Sequence, residues 1–273
     1  MSTVTSNELI STVNSLRDSS PGYNVSVRVL KSIVSIPILS SALQHLCNMS
    51  FSMGIFPNDL KTAKIIPIYK SGDKKLFNNH RPISILPAIS KVIEKIMYNR
   101  IIEFFNERKI LTDAQYGFRG GRSTETALTT FKTDILQAFD KQEYSISLFL
   151  DLSKAFDTVN HQILLTKLEH YGIRNTTYRW FESYLTSRKQ FVQYSDKKFN
   201  TLAISLGMPQ GSNMGPLLFI LYINDMVNCS RALKTILFAD DTTLYASHRD
   251  INTLIHMVNN ELDKVQNCGQ LIN

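Results

Sequence analysis

"ILFADDTTLY", residues 236–245, sets Asp240 and Asp241 side by side between two apolar runs. The flanking pattern predicts a β-hairpin with the aspartates at its tip, where Asp is a common turn residue. A turn accounts for one aspartate. It does not account for two abutting negative charges, which repel each other unless a cation lies between them. Such a cation would need a further carboxylate from elsewhere in the chain.

Asp151 is the candidate. It stands near the end of "YSISLFLDLS" (144–153), whose apolar residues run almost without a break, as in a strand covered on both faces. A carboxylate is unwelcome there without a partner. Between the two segments lies "TLAISLGMPQGSNMGPLLFILYINDM" (201–226), which reads as strand, glycine-rich loop and apolar helix with Pro216 near its start. Hard divalent cations such as Mg²⁺ choose carboxylate oxygens and leave positions open for phosphate oxygens. A pair of such ions can activate a 3′-hydroxyl and stabilise a leaving pyrophosphate. The chemistry suggested is phosphoryl transfer without a covalent intermediate.

The other elements follow from periodicity and turn signals. "SSPGYN" (19–24) is a turn cluster after an amphipathic N-terminal segment. Residues 29–53 read as helix interrupted near Pro37, and Ile65–Tyr69 as a strand followed by a Ser71-Gly72-Asp73 turn. Residues 87–108 are the clearest helix: Ile89, Val92, Ile93, Ile96, Met97, Ile101 and Phe104 recur at helical spacing, which leaves Lys and Glu for the other face. "YGFRGGRSTETAL" opens as a glycine-rich loop with Ser123 or Thr124 as the N-cap of the next helix. A helix from about His161 to Tyr171 and a helical tail from Ile251 complete the reading. Strands and helices mix without βαβ regularity, so the fold class is α+β.

Composition bounds the function. The 273 residues are 43% hydrophobic, enough for a sizeable core, and carry 30 Lys and Arg against 23 Asp and Glu, for a net charge of +7. The excess lies in residues 1–140, with 17 basic and 11 acidic residues, and is densest around Lys61, Lys64, Lys70, Lys74, Lys75 and Arg81. That side suits a phosphate-bearing partner. Cys47, Cys229 and Cys268 show no Cys-x-x-Cys spacing, which argues against a zinc site or a disulfide framework and fits a reduced, intracellular setting. The N-terminus lacks the apolar stretch of a signal peptide, so the expectation is nucleus or cytoplasm and not secretion. The longest apolar run, "PLLFILYI" (216–223), is too short to cross a bilayer, and no membrane is expected as partner. His80, His161 and His170 have no partner at metal-ligand spacing and read as surface or packed histidines.

Taken in order, these segments resemble the reverse transcriptases of non-LTR (LINE-type) retrotransposons. "FADDTTLY" is similar to their Tyr/Phe-x-Asp-Asp motif, "FLDLSKAFDTVNHQILLTKL" to the first catalytic motif, and "GMPQGSNMGPLLFILYIND" to the one that follows it. "HRPISILPAISKVIEKIMYNRI" and "QYGFRGGRSTETAL" resemble the two finger motifs, and "NSLRDSSPGYN" the segment that opens the domain. The resemblance implies RNA-directed DNA polymerase activity: transfer from dNTPs to a DNA primer on an RNA template, with two Mg²⁺ ions, or Mn²⁺ in their place. It assigns Asp151, Asp240 and Asp241 as catalytic metal ligands and Phe156 as a steric gate against a 2′-hydroxyl. Gln210 and Gly211 become the loop that supports the incoming nucleotide. For the triphosphate it points to basic finger residues, with Arg119, Arg122, Arg81 and Lys70 as candidates. Lys61, Lys64, Lys74 and Lys75 are left to grip nucleic acid. Asp157 reads as a structural cap or turn residue.

The fold implied is a right-hand polymerase with an antiparallel palm sheet and flanking helices. Fingers come from 1–140, including an N-terminal extension, with a fingers/palm connection at 161–208. Palm comes from 141–160 and 209–273. "ELDKVQNCGQLIN" resembles the start of the next palm motif, with Cys268 where Trp is usual, so the expectation is a fragment without a thumb. Met208, Asn213-Met214 and Asn24 also depart from the usual residues and remove no catalytic group. Two alternatives stay open: a catalytically incompetent relic or RNA-binding module of the same fold, and a group II intron maturase.

Overall fold

The computed structural model describes residues 1–18, 25–152, 154–194 and 197–270. The turn cluster at 19–24, with Asn24, lies outside them. The N-terminal half is mainly helical. Helices α1 (Ser6–Ser15), α2 (Val27–Ile33), α3 (Pro37–Met53) and α4 (Ala88–Glu107) form one layer. Pro37 occupies the first turn of α3, where its missing N–H costs nothing, and the α2–α3 axis bends by 112° at that point. The expected interruption is thus a corner between two helices. Helix α5 (Thr124–Asp140) begins with Ser123 as N-cap in a reciprocal capping box with Thr126. Helices α6 (His161–His170), α7 (Asn175–Leu185), α8 (Gly215–Tyr222) and α9 (Ile251–Gln270) complete the helical set among the described residues. No single described helix is long and apolar enough to cross a membrane.

Strands β1 (Thr62–Tyr69), β2 (His80–Ile85), β4 (Arg188–Tyr194), β5 (Lys197–Lys198) and β6 (Leu202–Ile204) form one sheet. Its order is β2-β1-β4-β5, with β6 on β4, and β1 runs parallel to β4 from Thr62↔Lys189 to Ile65↔Val192. Strands β3 (Tyr144–Asp151), β7 (Lys234–Phe238) and β8 (Asp241–His248) form a second, antiparallel sheet in the order β3-β8-β7. The architecture is α+β, as expected.

The main core gathers α1–α4 and α6–α8 around Trp180, which stacks on Tyr184 at 5.4 Å and donates its indole N–H to Ser50 Oγ at 3.0 Å. Helix α8 is buried on every side, which explains the uninterrupted apolar run of its sequence. A second core lies between α9 and the three-stranded sheet, with Leu237, Leu244, Leu254 and Val258 at its centre.

Three expectations need correction here. Strand β3 is not covered on both faces: it is the edge strand, and Phe149 remains 73% exposed on the side opposite the α9 core. The charged residues of α4 do not all face solvent: Glu94 is fully buried and accepts hydrogen bonds from Ser90 Oγ at 2.9 Å and the Asn213 amide at 2.8 Å. Cys229 and Cys268 form a disulfide that ties the end of α9 to the segment before β7, while Cys47 is free and buried, with its thiol pushed up to about 12 chiefly by desolvation. The pairing joins cysteines 39 positions apart, a proximity created by helix docking and invisible in their spacing.

Glu94 yields a pH prediction. Burial raises its pKa above the ordinary 4.5, against the opposing influence of Arg188 and the hydrogen bonds it receives. The folded state therefore holds this proton more tightly than the unfolded chain does. Its stabilising contribution is present below about pH 4.5 and is lost as pH rises through the folded-state pKa. Glu94→Gln keeps an acceptor oxygen and removes the titration. In denaturant unfolding from pH 4 to 8, the variant's stability relative to wild type is expected to rise with pH; a constant difference would contradict it.

Candidate active site

The hairpin of β7 and β8 turns through Ala239 and Asp240. Ala239 holds a left-handed φ of 55°, a conformation that costs a non-glycine residue energy. Asp240 is thus the turn residue proper, and Asp241 opens β8, paired with Phe238 on one side and with Asp151 on the other. Directly opposed Cα atoms in an antiparallel pair lie about 4.5–5.5 Å apart. Asp151 and Asp241 are therefore cross-strand neighbours at one end of the sheet. Asp151 is exposed, so its cost of burial was overestimated from the apolar run preceding it.

Asp151 and Asp240 line one open cleft of about 930 Å³. The same cleft is lined by Lys70, Arg81, Phe156, Gln210 and Gly211, so residues from five separate segments converge on it. Asp241 is exposed beside this cleft without lining it. None of the ion pairs among the described residues engages Asp151, Asp240 or Asp241. Among the described residues their charge is thus not neutralised by a direct ion pair, and the cations of the cleft, Lys70, Arg81 and Lys154, share its lining without bridging to them.

The donor set fits a hard divalent cation. Among the described residues no three His, Cys, Asp or Glu side chains are grouped so that they could together hold a metal ion, and Asp151, Asp240 and Asp241 form no such ready-made triad. Mg²⁺ does not require one: it is commonly held by one or two carboxylates, with waters and substrate phosphates filling the octahedron.

The opposite wall is built from the loop between β6 and α8. Gln210 donates its side-chain amide to Asp157 Oδ1 at 3.1 Å, and its carbonyl accepts the Ser84 amide of β2 at 2.8 Å. Gly211 has φ 123°, and a Cβ there would lie 2.5 Å from the Ser84 carbonyl oxygen, so only glycine fits. Phe156 sits in a short 3₁₀ turn, Ala155–Asp157, with its ring stacked on Phe219 of α8 at 4.3 Å. Its carbonyl accepts the Met208 amide at 2.7 Å. Asp157 thus does more than close a turn: its carboxylate orients Gln210. Lys154, exposed at the mouth with φ 54°, also lines the cleft and is a cation the motif reading passed over. Its position two residues before Phe156 was the available signal.

The remaining basic residues separate clearly. Arg119 and Arg122 do not line this cleft. Arg119 donates to the Thr112 carbonyl at 2.6 Å, and Arg122 binds both the carbonyl and the carboxylate of Asp113 at 2.7 Å, so both brace their own loop. Lys61 is buried, 4% exposed, with its ammonium 3.4 Å from Ser183 Oγ, and its pKa is lowered by desolvation and then by Arg188. It has no access to an external polyanion. Lys64 is half-buried on β1, whereas Lys74 and Lys75 are exposed on the turn between β1 and β2. His161 is buried and bonded to the Gly207 carbonyl at 2.7 Å; His80 packs edge-on against Tyr69, and His170 is exposed.

Residues 68–273 match the family described as "Reverse transcriptase (RNA-dependent DNA polymerase)". Among curated proteins, the chain is 33% identical over 258 residues to the probable RNA-directed DNA polymerase from transposon BS of Drosophila melanogaster, covering 88% of this chain and 28% of that protein. It is 34% identical over 235 residues to the corresponding protein from transposon X-element, covering 84% and 26%, and 30% identical over 240 residues to the RNA-directed DNA polymerase from mobile element jockey, covering 84% and 26%, both of the same fly. The chain thus spans about a quarter of the length of these relatives. The carboxylate hairpin, the opposed Asp151 and the Gln-Gly wall all lie inside the matched region, and this chain belongs to the reverse transcriptase family, with relatives among the enzymes of non-LTR retrotransposons.

Proposed function

We propose that this chain is the catalytic module of an RNA-directed DNA polymerase that extends a DNA primer on an RNA template with dNTPs. The observation that carries this reading is the convergence of Asp151 and Asp240 with Gln210, Gly211 and Phe156 in one cleft. The three-stranded antiparallel sheet with α8 and α9 corresponds to a palm, from 141–160 and 209–273. The β1/β2 and β4–β6 sheet with the N-terminal helices corresponds to fingers, from 1–140 and 161–208.

Asp151 and Asp240, with Asp241 beside them, are the groups to hold two Mg²⁺ ions; Mn²⁺ suits the same oxygens. Bound there, the ions supply Lewis-acid stabilisation of the attacking and leaving oxygens. The protein's own part is positioning. Gln210, fixed by Asp157 and Ser84, presents a rigid wall to the nucleotide base and sugar. Phe156, backed by Phe219, fills the space a 2′-hydroxyl would need. Lys70 and Arg81, exposed and lining the same cleft as the carboxylates, are the cations to meet the triphosphate, in preference to Arg119 and Arg122. Lys64, Lys74 and Lys75 extend the positive field along the β1/β2 hairpin toward the nucleic-acid backbone. For cellular setting we infer nucleus or cytoplasm, a reducing setting in which the Cys229–Cys268 disulfide of the structure would be open to reduction.

Primer extension tests the reading. The folded protein, given an RNA template, an annealed DNA primer, dNTPs and Mg²⁺, is expected to lengthen the primer, with activity falling steeply as salt rises. A protein that is folded and binds primer–template yet adds no nucleotide in Mg²⁺ or Mn²⁺ would overturn the assignment.

A further inference from the structure

The "QYGFRGGR" segment was expected to serve through Arg119 and Arg122, neither of which lines the cleft. Its buried glutamine points instead to the carboxylate hairpin. Gln115 is fully buried. Its Oε1 accepts two backbone N–H groups at once: that of Gly117 at 2.8 Å and that of Ala239 at 3.1 Å. Ala239 is the positive-φ residue immediately before Asp240. The backbone reinforces this clamp. Residues 114–116 pair with β7 through a parallel bridge, with Tyr116 N–H donating to the Leu237 carbonyl and Leu237 N–H to the Ala114 carbonyl, both at 2.8 Å. The two chains approach so closely that a Cβ on Gly117 would lie 2.3 Å from the Ala239 nitrogen. One residue further on, Phe118 meets Phe156 edge-on at 6.2 Å.

From this geometry we infer that Gln115 is a positioning residue: its carbonyl oxygen holds the strained Ala239 turn and thereby sets the direction of the Asp240 carboxylate. The hairpin needs such a device. A two-residue turn through a non-glycine residue at positive φ persists only when its surroundings over-determine it. The Ala239 N–H, turned inward by that conformation, would otherwise be a buried donor without an acceptor. Among the described residues Gln115 Nε2 has no hydrogen-bond partner, so it is the oxygen and not the amide nitrogen that serves the turn. Asp240 is thereby positioned from outside its own sheet, by a segment reaching β7 from the α4–α5 connection. The consequence for metal binding rests on the polymerase reading; the consequence for the turn does not.

The test compares wild type with Gln115→Met, which fills the same volume without an oxygen acceptor, and Tyr116→Phe, which removes only the 2.9 Å hydrogen bond to Thr130 on the same segment. Amide hydrogen exchange of residues 237–241 is measured in the metal-free protein, and Mn²⁺ binding by direct spin-resonance titration. Gln115→Met is expected to speed hairpin exchange about tenfold, ~1.4 kcal/mol, and to weaken Mn²⁺ binding by a similar factor. Tyr116→Phe should leave both near wild type. Unchanged exchange in Gln115→Met, or equal losses in the two variants, overturns the inference. Should Gln115→Met not fold, Gln115→Glu, which keeps the acceptor, is expected to retain wild-type hairpin exchange, and loss of that protection in the folded variant also overturns it. A wild-type protein that adds no nucleotide, but whose hairpin loosens in Gln115→Met, removes the polymerase reading and leaves the positioning role standing.

Discussion

Single-nucleotide incorporation by the Asp151→Asn protein is expected to fall by on the order of a thousandfold, ~4 kcal/mol of transition-state stabilisation, with Asp240→Asn matching it. The size follows from the role. A cation acting as a Lewis acid contributes several kcal/mol of charge stabilisation, and an amide holds it far less well than a carboxylate. Both substitutions preserve shape. Asp151 is exposed and Asp240 half-exposed, and neither forms an ion pair among the described residues. Thermal stability should therefore change by no more than about 0.5 kcal/mol. The pair separates chemistry from folding: equal incorporation by wild type and either variant would dismantle the proposed catalysis. Asp241→Asn is expected to be milder, since Asp241 stands beside the cleft and not in its lining.

The second large effect concerns sugar selection. Phe156→Val should lower discrimination between dNTP and rNTP by about a hundredfold, ~2.7 kcal/mol, mainly by admitting the ribonucleotide. The ring lines the cleft and cannot swing aside. It is stacked on Phe219 at 4.3 Å, touched edge-on by Phe118, and carried by a turn whose carbonyl is held by Met208. On the proposed reading, a rigid aromatic at that wall would exclude one added hydroxyl by its volume. Valine keeps a hydrophobic contact with Phe219 and opens the space. Competition assays with matched dNTP and rNTP measure the ratio; unchanged discrimination in an active Phe156→Val protein would mean that another group reads the sugar.

Legibility in the sequence differed by element. Helix α4 and the α2–α3 corner were readable because their apolar periodicity and Pro37 act locally. Helix α7 and strand β4 were passed over, although α7 carries Trp180 and Tyr184 at the centre of the core. Strand β4 is defined by its parallel pairing with β1, a contact between distant segments that leaves little local pattern. Glu94 was assigned to the wrong face because a charge on an amphipathic helix normally faces water; its burial depends on the loop at Asn213, which comes to it from far along the chain. The basic residues were the least legible. Lys61 and Lys70 belong to the same charged stretch, yet one is buried beneath Ser183 and the other lines the cleft.

What residue order alone determined was the chemistry: an Asp-Asp hairpin, a third aspartate ending an apolar strand, and a Gln-Gly loop between them, in a sequence order specific enough to place the family. These are properties of side-chain type and local pattern, which the chain carries before it folds. The tertiary structure alone decided which groups meet. The β3–β8 register opposes Asp151 to Asp241, and the bridge at Leu237 brings Gln115 under the turn that bears Asp240. It also sets Lys70 and Arg81 in the lining of the cleft while Arg119 and Arg122 are bound to the Thr112–Asp113 segment outside that lining. Strand register and loop docking are set by pairings between distant segments, and a one-residue slip would present the opposite face.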